Sequence, residues 1–289
     1  MKLSVVSASL LALAGAVSSA HAQFGWAVTT ESRLVHFSLS APSETILSSS
    51  ITGLRQSNGV TPDAFGNIYE LTSFNGQLYG LDGHANFYSI NGLSGQATFI
   101  SNAFAPAGFD AGLAYDPFTG KFRFVSDAGE NVQIGLNGAV TNGNATYYAP
   151  GDANFGASTV FNGLAIDSDF GTGFALDSAT DTLAITFDPN FEEFFTVGSL
   201  GFDITGLGSL DILNGALFAA LSGDASLSSL YSIDSTTGAA TLIGDFGTGV
   251  TGLVLTQSAA VPEPSTYGLI GAAALAGLIV LRRRNNRRA

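Results

Sequence analysis

The sequence predicts an all-β fold, a β-propeller-like ring of five blades closed by pairing of its N- and C-terminal strands, with a transmembrane helix at the C-terminal end. Three observations carry the ring. Apolar residues alternate with polar ones in short runs broken by Gly, Asn, Asp and Ser, the period of strands rather than helices. A four-part phrase recurs along the chain, as in repeat architectures. One solitary first part is left over after the last copy, while the opening copy lacks that part. A β-sandwich is the competing layout, because short alternating strands with polar turns suit it as well.

The pieces follow in chain order. "MKLSVVSASLLALAGAVSSAHAQ" presents Lys2, an apolar stretch from Leu3 to Val17 and then Ala20-His21-Ala22, the layout of a secretory signal peptide over 1–22 with cleavage after Ala22. A permanent anchor helix is the alternative, but the apolar run is shorter than the roughly 20 residues a span needs. The domain, 23–260, opens with "GWAVTTE", "RLVHFSL" and "ETILSSSI". Copies of the phrase run from Gly66 to Ser101, Ala111 to Asn142, Asn162 to Gly198 and, most clearly, Thr205 to Phe246 as "TGLGSLDI", "GALFAALS", "SLYSID" and "GAATLIGDF". "TGLVLTQ", Thr251 to Gln257, is the missing first part. Joined to the opening three strands it completes a fifth unit and removes an open sheet edge. The ring therefore requires Val254 and Ala27 to lie on laddered neighbours. Gly112, Gly163, Gly206 and Gly252 mark the repeat at roughly 43 to 51 residues, near the roughly 40 to 50 typical of propeller blades. Asp116 with Gly120, and Asp234 with Gly238, read as turns in which the carboxylate takes backbone amides and glycine takes positive φ.

The last segment, 261–289, combines Pro262-Glu263-Pro264, an apolar run over 267–281 and five arginines. About fifteen helical residues span about 22 Å, short of a ~30 Å hydrocarbon core, and snorkelling side chains make up the difference. Arg282, Arg283 and Arg284 then stop the helix on the cytoplasmic side, the orientation that an exported N-terminus also demands. The prolines keep the preceding peptide extended and open to a processing enzyme.

Outside these end segments only Arg33, Arg55, Lys121 and Arg123 remain basic, against all the acids but Glu263, so the domain carries a net charge of about −18. Such a field repels phosphate backbones and argues against nucleic acid as a partner. Solubility is one use of the charge; capture of divalent cations is another. The chain has no cysteine, so an exported domain of this kind must rest on its apolar core, for which 22 phenylalanines supply material.

Pro262-Glu263-Pro264, the apolar helix and the basic end together resemble the PEP-CTERM sorting signal of Gram-negative bacteria that make exopolysaccharide. The resemblance implies processing by an exosortase after signal peptidase has acted, transient residence in the inner membrane, and transfer to the cell surface or biofilm matrix. "GLAYDPFTGKFRFVSDAGENVQI", "YYAPGDANFGAS" and "LYSIDSTTGAATLIG" resemble the bacterial domain of unknown function 4394, described as propeller-like. That likeness is loosest between Leu54 and Tyr69, implies the fold, and lends no activity and no site residues.

No catalytic constellation stands out. After removal of the leader only His36 and His84 remain, and there is no G-x-S-x-G elbow for a nucleophilic serine. Asp116, Asp127, Asp167 and Asp177 are the candidates for paired carboxylates of a glycan hydrolase, yet an acid recurring at the same turn of each unit reads as a turn-former. Asp167, Asp169, Asp177 and Asp181, with Asp152 and Asn154, offer hard oxygens for Ca2+ but lack EF-hand spacing. Tyr147 and Tyr148 are either core residues or a platform for a sugar ring. The expected role is a non-enzymatic binding or structural module for polysaccharide or a matrix protein, with a hydrolase or a calcium-stabilised adhesion module as alternatives. No cofactor is expected.

Overall fold

The computed structural model describes residues 23–55, 66–108, 110–224 and 226–257. The leader with Ala22, and the 261–289 segment with its helix over 267–281, lie outside the described residues. Within them the chain forms strands and no helix. The first blade begins with β1 (Gln23–Thr29), β2 (Arg33–Ser38) and β3 (Ala41–Ser50). The second blade is β4 (Ile68–Phe74), β5 (Gln77–Asp82), β6 (Asn86–Ile90) and β7 (Ala97–Asn102). The third is β8 (Ala111–Asp116), β9 (Lys121–Ser126), β10 (Asn131–Ile134) and β11 (Val140–Asn142). A two-residue strand, β12 (Tyr147–Tyr148), precedes the fourth: β13 (Phe161–Ile166), β14 (Gly173–Asp177), β15 (Thr182–Thr186) and β16 (Glu193–Ser199). The fifth is β17 (Gly208–Leu213), β18 (Ala216–Leu221), β19 (Ser229–Ile233) and β20 (Ala240–Asp245), and β21 (Val250–Gln257) follows.

Each blade is an antiparallel meander, and β21 completes the first one by pairing with β1, Trp26 opposite Val254 and Ala27 opposite Leu253. The five-bladed ring predicted from the leftover strand is therefore the observed fold. The innermost strands β21, β4, β8, β13 and β17 pack side by side around the axis, each touching the next and β17 returning to β21.

An apolar cluster fills each of the five gaps between blades. Leu81 and Phe87 meet Phe122 and Phe124 between the second and third blades. Val125 meets Phe161 and Phe194 between the third and fourth, and Leu176 meets Leu210 and Leu217 between the fourth and fifth. Leu230 meets Phe37 and Leu253 across the fifth and first, and Leu34 meets Leu71 and Tyr88 across the first and second. Burying each such side chain is worth about 1.5–3 kcal/mol, which lets a cysteine-free domain stand without disulfides.

Two features differ from the sequence reading. The fifth blade's inner strand starts at Gly208 rather than Thr205, because Thr205 is held outside it by Ser222, whose carbonyl oxygen accepts both its amide and its hydroxyl. Ser209 thus occupies the place that Gly112, Gly163 and Gly252 hold in other blades. β12 is the second: it runs parallel to β16 and gives the fourth blade a fifth strand.

The turns behave as their residues dictate. Asp234 accepts the amides of Thr236 at 2.8 Å and Thr237 at 3.0 Å, and Gly238 takes φ of 79°. Gly238 also abuts the fourth blade, where an added Cβ would fall 2.4 Å from the carbonyl oxygen of Gly198. Gly238→Val is therefore expected to cost at least about 2 kcal/mol through strain and clash together. Gly215→Val, at φ of 75° with open space around it, isolates the strain alone. Thermal unfolding of the two variants should rank Gly238→Val as the less stable; equal melting would refute the inter-blade contact.

Candidate functional site

The inner strands finish at one end of the ring around a cavity of about 200 Å³, lined by side chains from all five blades, among them Thr72, Tyr115, Ser168, Asp211 and Leu255. It forms because strands radiating from one axis splay apart at their ends, where no single side chain spans the gap. Asp211 is the acid on its wall. It is half-buried, its Oδ2 accepts the amide of Leu255 at 2.6 Å, and its Oδ1 accepts the amide of Ile212 at 2.8 Å. Burial pushes its carboxyl up to about 7, with the two amides holding it back from rising further.

The turns at this end carry two exposed aromatic residues. Phe118, on the turn after β8, is 64% exposed, and Phe170, on the turn after β13, is 80% exposed. The two turns touch, since a Cβ on Gly171 would lie 3.1 Å from the Phe118 ring. Tyr115 on the cavity wall is held by stacking on Phe74 with centroids 4.0 Å apart. Two exposed phenylalanines beside a polar funnel are costly to solvate and suited to a ligand with an apolar face.

Toward the other end of the same strands, Glu70 is buried and raised well above the usual carboxylate range, first by burial and then by the charge of Asp110, with the Leu113 amide opposing. Asp110 is raised by burial and by Asp127. Among the described residues no group of three or more His, Cys, Asp or Glu is placed to hold a metal ion.

The acids singled out in the sequence do not converge. Asp116 accepts the Phe118 amide at 2.9 Å and the Thr119 hydroxyl at 2.8 Å, and Asp167 accepts the amide of Asp169 at 2.8 Å. Asp177 is fully buried and takes the Tyr148 hydroxyl at 2.7 Å and the Ala179 amide at 2.9 Å. Asp181 accepts the Ile204 amide at 2.8 Å. Asp152 takes both the amide and the hydroxyl of Thr196 at 2.7 Å, while Asn154 donates to that hydroxyl. Asp127 lies beside Asp110, whose carbonyl oxygen accepts its amide at 2.8 Å. Tyr148 is a core residue, 1% exposed, whereas Tyr147 is 45% exposed. His36 stacks on Trp26 at 4.4 Å and burial lowers its pKa; the His84 amide donates to Asp82. Pro262, Glu263, Pro264 and the tail arginines lie outside the described residues.

Asp211 is the residue that sequence reading passed over. Its signal is one of phase: aligned on the inner strands, it stands where Ala114, Ala165 and Val254 stand, not where the turn acids Asp116 and Asp167 do.

Comparison with known proteins gives two matches to family models. Residues 33–254 match a family described as Domain of unknown function (DUF4394), and residues 260–284 match the PEP-CTERM protein-sorting motif. No curated protein matches. Among solved structures, a chain of the nidogen/laminin complex is similar at 10% identity over 81% of this chain and 97% of that one, with a TM-score of 0.47. A luciferin-regenerating enzyme is similar at 13% identity over 78% and 72%, TM-score 0.42. The glutaminyl cyclase of Myxococcus xanthus is similar at 18% identity over 64% and 69%, TM-score 0.39.

Proposed function

The chain belongs to the DUF4394 family, and because that family carries no assigned activity, we propose from the geometry that its propeller is a non-enzymatic binding module that takes polysaccharide at the channel mouth. The PEP-CTERM motif implies export, membrane anchoring before processing, and processing by an exosortase. The proposed destination is the cell surface or the extracellular matrix. One observation carries the reading: a funnel shared by all five blades gathers hydroxyl and carboxylate groups with the Tyr115 ring, and the turns that bear its Pro117 and Ser168 also carry the exposed rings of Phe118 and Phe170. Sugars present an apolar C–H face to aromatic rings and hydroxyls to polar side chains, so this pairing of surfaces suits them. The cavity, smaller than the roughly 300 Å³ at which drug-sized pockets begin, fits one ring or a chain end.

A glycan array probed with the purified protein should retain at least one polysaccharide class. The Phe118→Ala, Phe170→Ala double variant should lose at least about tenfold in affinity while its thermal unfolding stays near that of the parent, since both rings are exposed. Undiminished binding by the double variant would refute the site, and turnover of the bound glycan would refute the non-enzymatic assignment.

A further inference from the structure

We propose that the group seated in the funnel is a protonated amine carried on a sugar ring, with the carboxylate of Asp211 as its counter-ion. This rests on the reading of the funnel as a polysaccharide site and narrows it to one class of polysaccharide. Among the described residues, Asp211 is the acid on a wall that holds no lysine, arginine or histidine, and Tyr115 on β8 is the other ionisable side chain there. Both carboxylate oxygens accept backbone amides, so the group is held in place and its remaining lone pairs have a fixed direction. Tyr115 on the wall, with Phe118 and Phe170 on the turns beside it, adds aromatic faces, which attract cations as well as C–H groups.

The charge of the whole domain points the same way. At about −18, with four basic side chains, it draws cationic polymers toward the domain and repels uronate- or sulfate-bearing ones. Neutral glycans experience neither effect, and they offer the carboxylate hydroxyl donors but no counter-charge. A lysine side chain also carries an amine, but it offers no hydroxyls to Thr72, Ser73 and Ser168 and no ring face to the aromatics. A cation arriving at Asp211 must displace the proton that burial favours, so binding releases protons near neutral pH.

The test uses the full exported protein with glucosamine oligomers and N-acetylglucosamine oligomers of equal length, by titration calorimetry in two buffers of different ionisation enthalpy. The amine form should bind at least about tenfold more tightly, with proton release at pH 6, where the carboxyl gives up its proton, that turns to proton uptake at pH 8, where the carboxyl is already ionised and the amine must gain a proton to bind. Asp211→Asn keeps an oxygen for the Leu255 amide and should lose the preference. Proton release in the parent protein tests the same point should that variant fold poorly. Equal affinity for both oligomers at the Phe118 and Phe170 mouth would overturn the amine and leave the polysaccharide site standing. Binding of neither oligomer, with no other glycan retained at the mouth, would overturn both. Asp211-dependent binding of a lysine-rich peptide in preference to the oligomers would overturn the assignment to a sugar.

Discussion

Gly112→Ala is expected to destabilise the ring by more than about 3 kcal/mol. The five innermost strands place one residue each at a shared position facing the next strand: Glu70, Gly112, Gly163, Ser209 and Gly252. At Gly112 an added Cβ would lie 2.3 Å from the amide nitrogen of Leu164 and 2.5 Å from the carbonyl carbon of Gly163. Both neighbours are backbone of a strand laddered on its other side, so neither can yield without moving a blade. Where this position carries a side chain, that chain brings an acceptor: the Ser209 hydroxyl takes the Leu253 amide at 2.9 Å, and the Glu70 carboxylate takes the Leu113 amide. A methyl group offers the crowding without the hydrogen bond. For a domain of this size the loss corresponds to a fall in Tm of roughly 6–12 °C. Gly163→Ala is a graded control, since its nearest obstacle, at 2.8 Å, is the terminal carbon of Leu176, a side chain that can shift. Melting curves should order the proteins as parent, Gly163→Ala, Gly112→Ala. Unchanged melting of Gly112→Ala would contradict the close approach of the third and fourth blades at the axis.

The same position explains what could be read in advance and what could not. Period-two alternation, the recurrent phrase and the leftover "TGLVLTQ" are local patterns, and they sufficed for five blades and for the β1–β21 closure. The acids Asp116, Asp167 and Asp234 announced turns because their hydrogen bonds reach only two or three residues ahead. The start of the fifth inner strand was ambiguous, since "TGLGSLDI" holds a Gly-Leu and a Ser-Leu pair three residues apart. Contacts with a neighbouring blade decide it: Ser209 and Asp211 each bond a backbone amide 44 residues away. Periodicity carries no record of such partners. Tyr148 was undecidable for the same reason, its hydroxyl being claimed by Asp177 at a separation of 29 residues. The candidate site was the least legible part, because a funnel made by five strand ends has no contiguous sequence.

Arg123→Met is expected to cost about 3–5 kcal/mol, the range for breaking a buried ion pair by removing one partner. Arg123 lies on β9 in the third blade, is 1% exposed, and reaches into the segment between β15 and β16 of the fourth. Nη1 donates to Asn131 Oδ1 at 3.1 Å and to the Asn190 carbonyl oxygen at 3.0 Å, and Nη2 donates to the Pro189 carbonyl oxygen at 3.0 Å. Nη2 also lies 3.8 Å from Asp116, and the guanidinium sits 4.5 Å above the Phe191 ring. Burial lowers its pKa, but Asp116, Asp188 and Glu192 work against that and keep it charged. Methionine fills much of the volume and restores none of the donors, which strands the Pro189 oxygen and leaves Asp116 without its counter-charge. Arg123→Lys should recover only part of the loss, because one ammonium cannot serve two carbonyl oxygens and a side-chain amide in a fork. Urea unfolding is the measurement: a lowered midpoint at unchanged slope is expected for Met and a smaller drop for Lys. A Met variant as stable as the parent would mean that desolvating the charge costs as much as its contacts return, and the tie between the two blades would then have to rest on the Val125, Phe161 and Phe194 cluster instead.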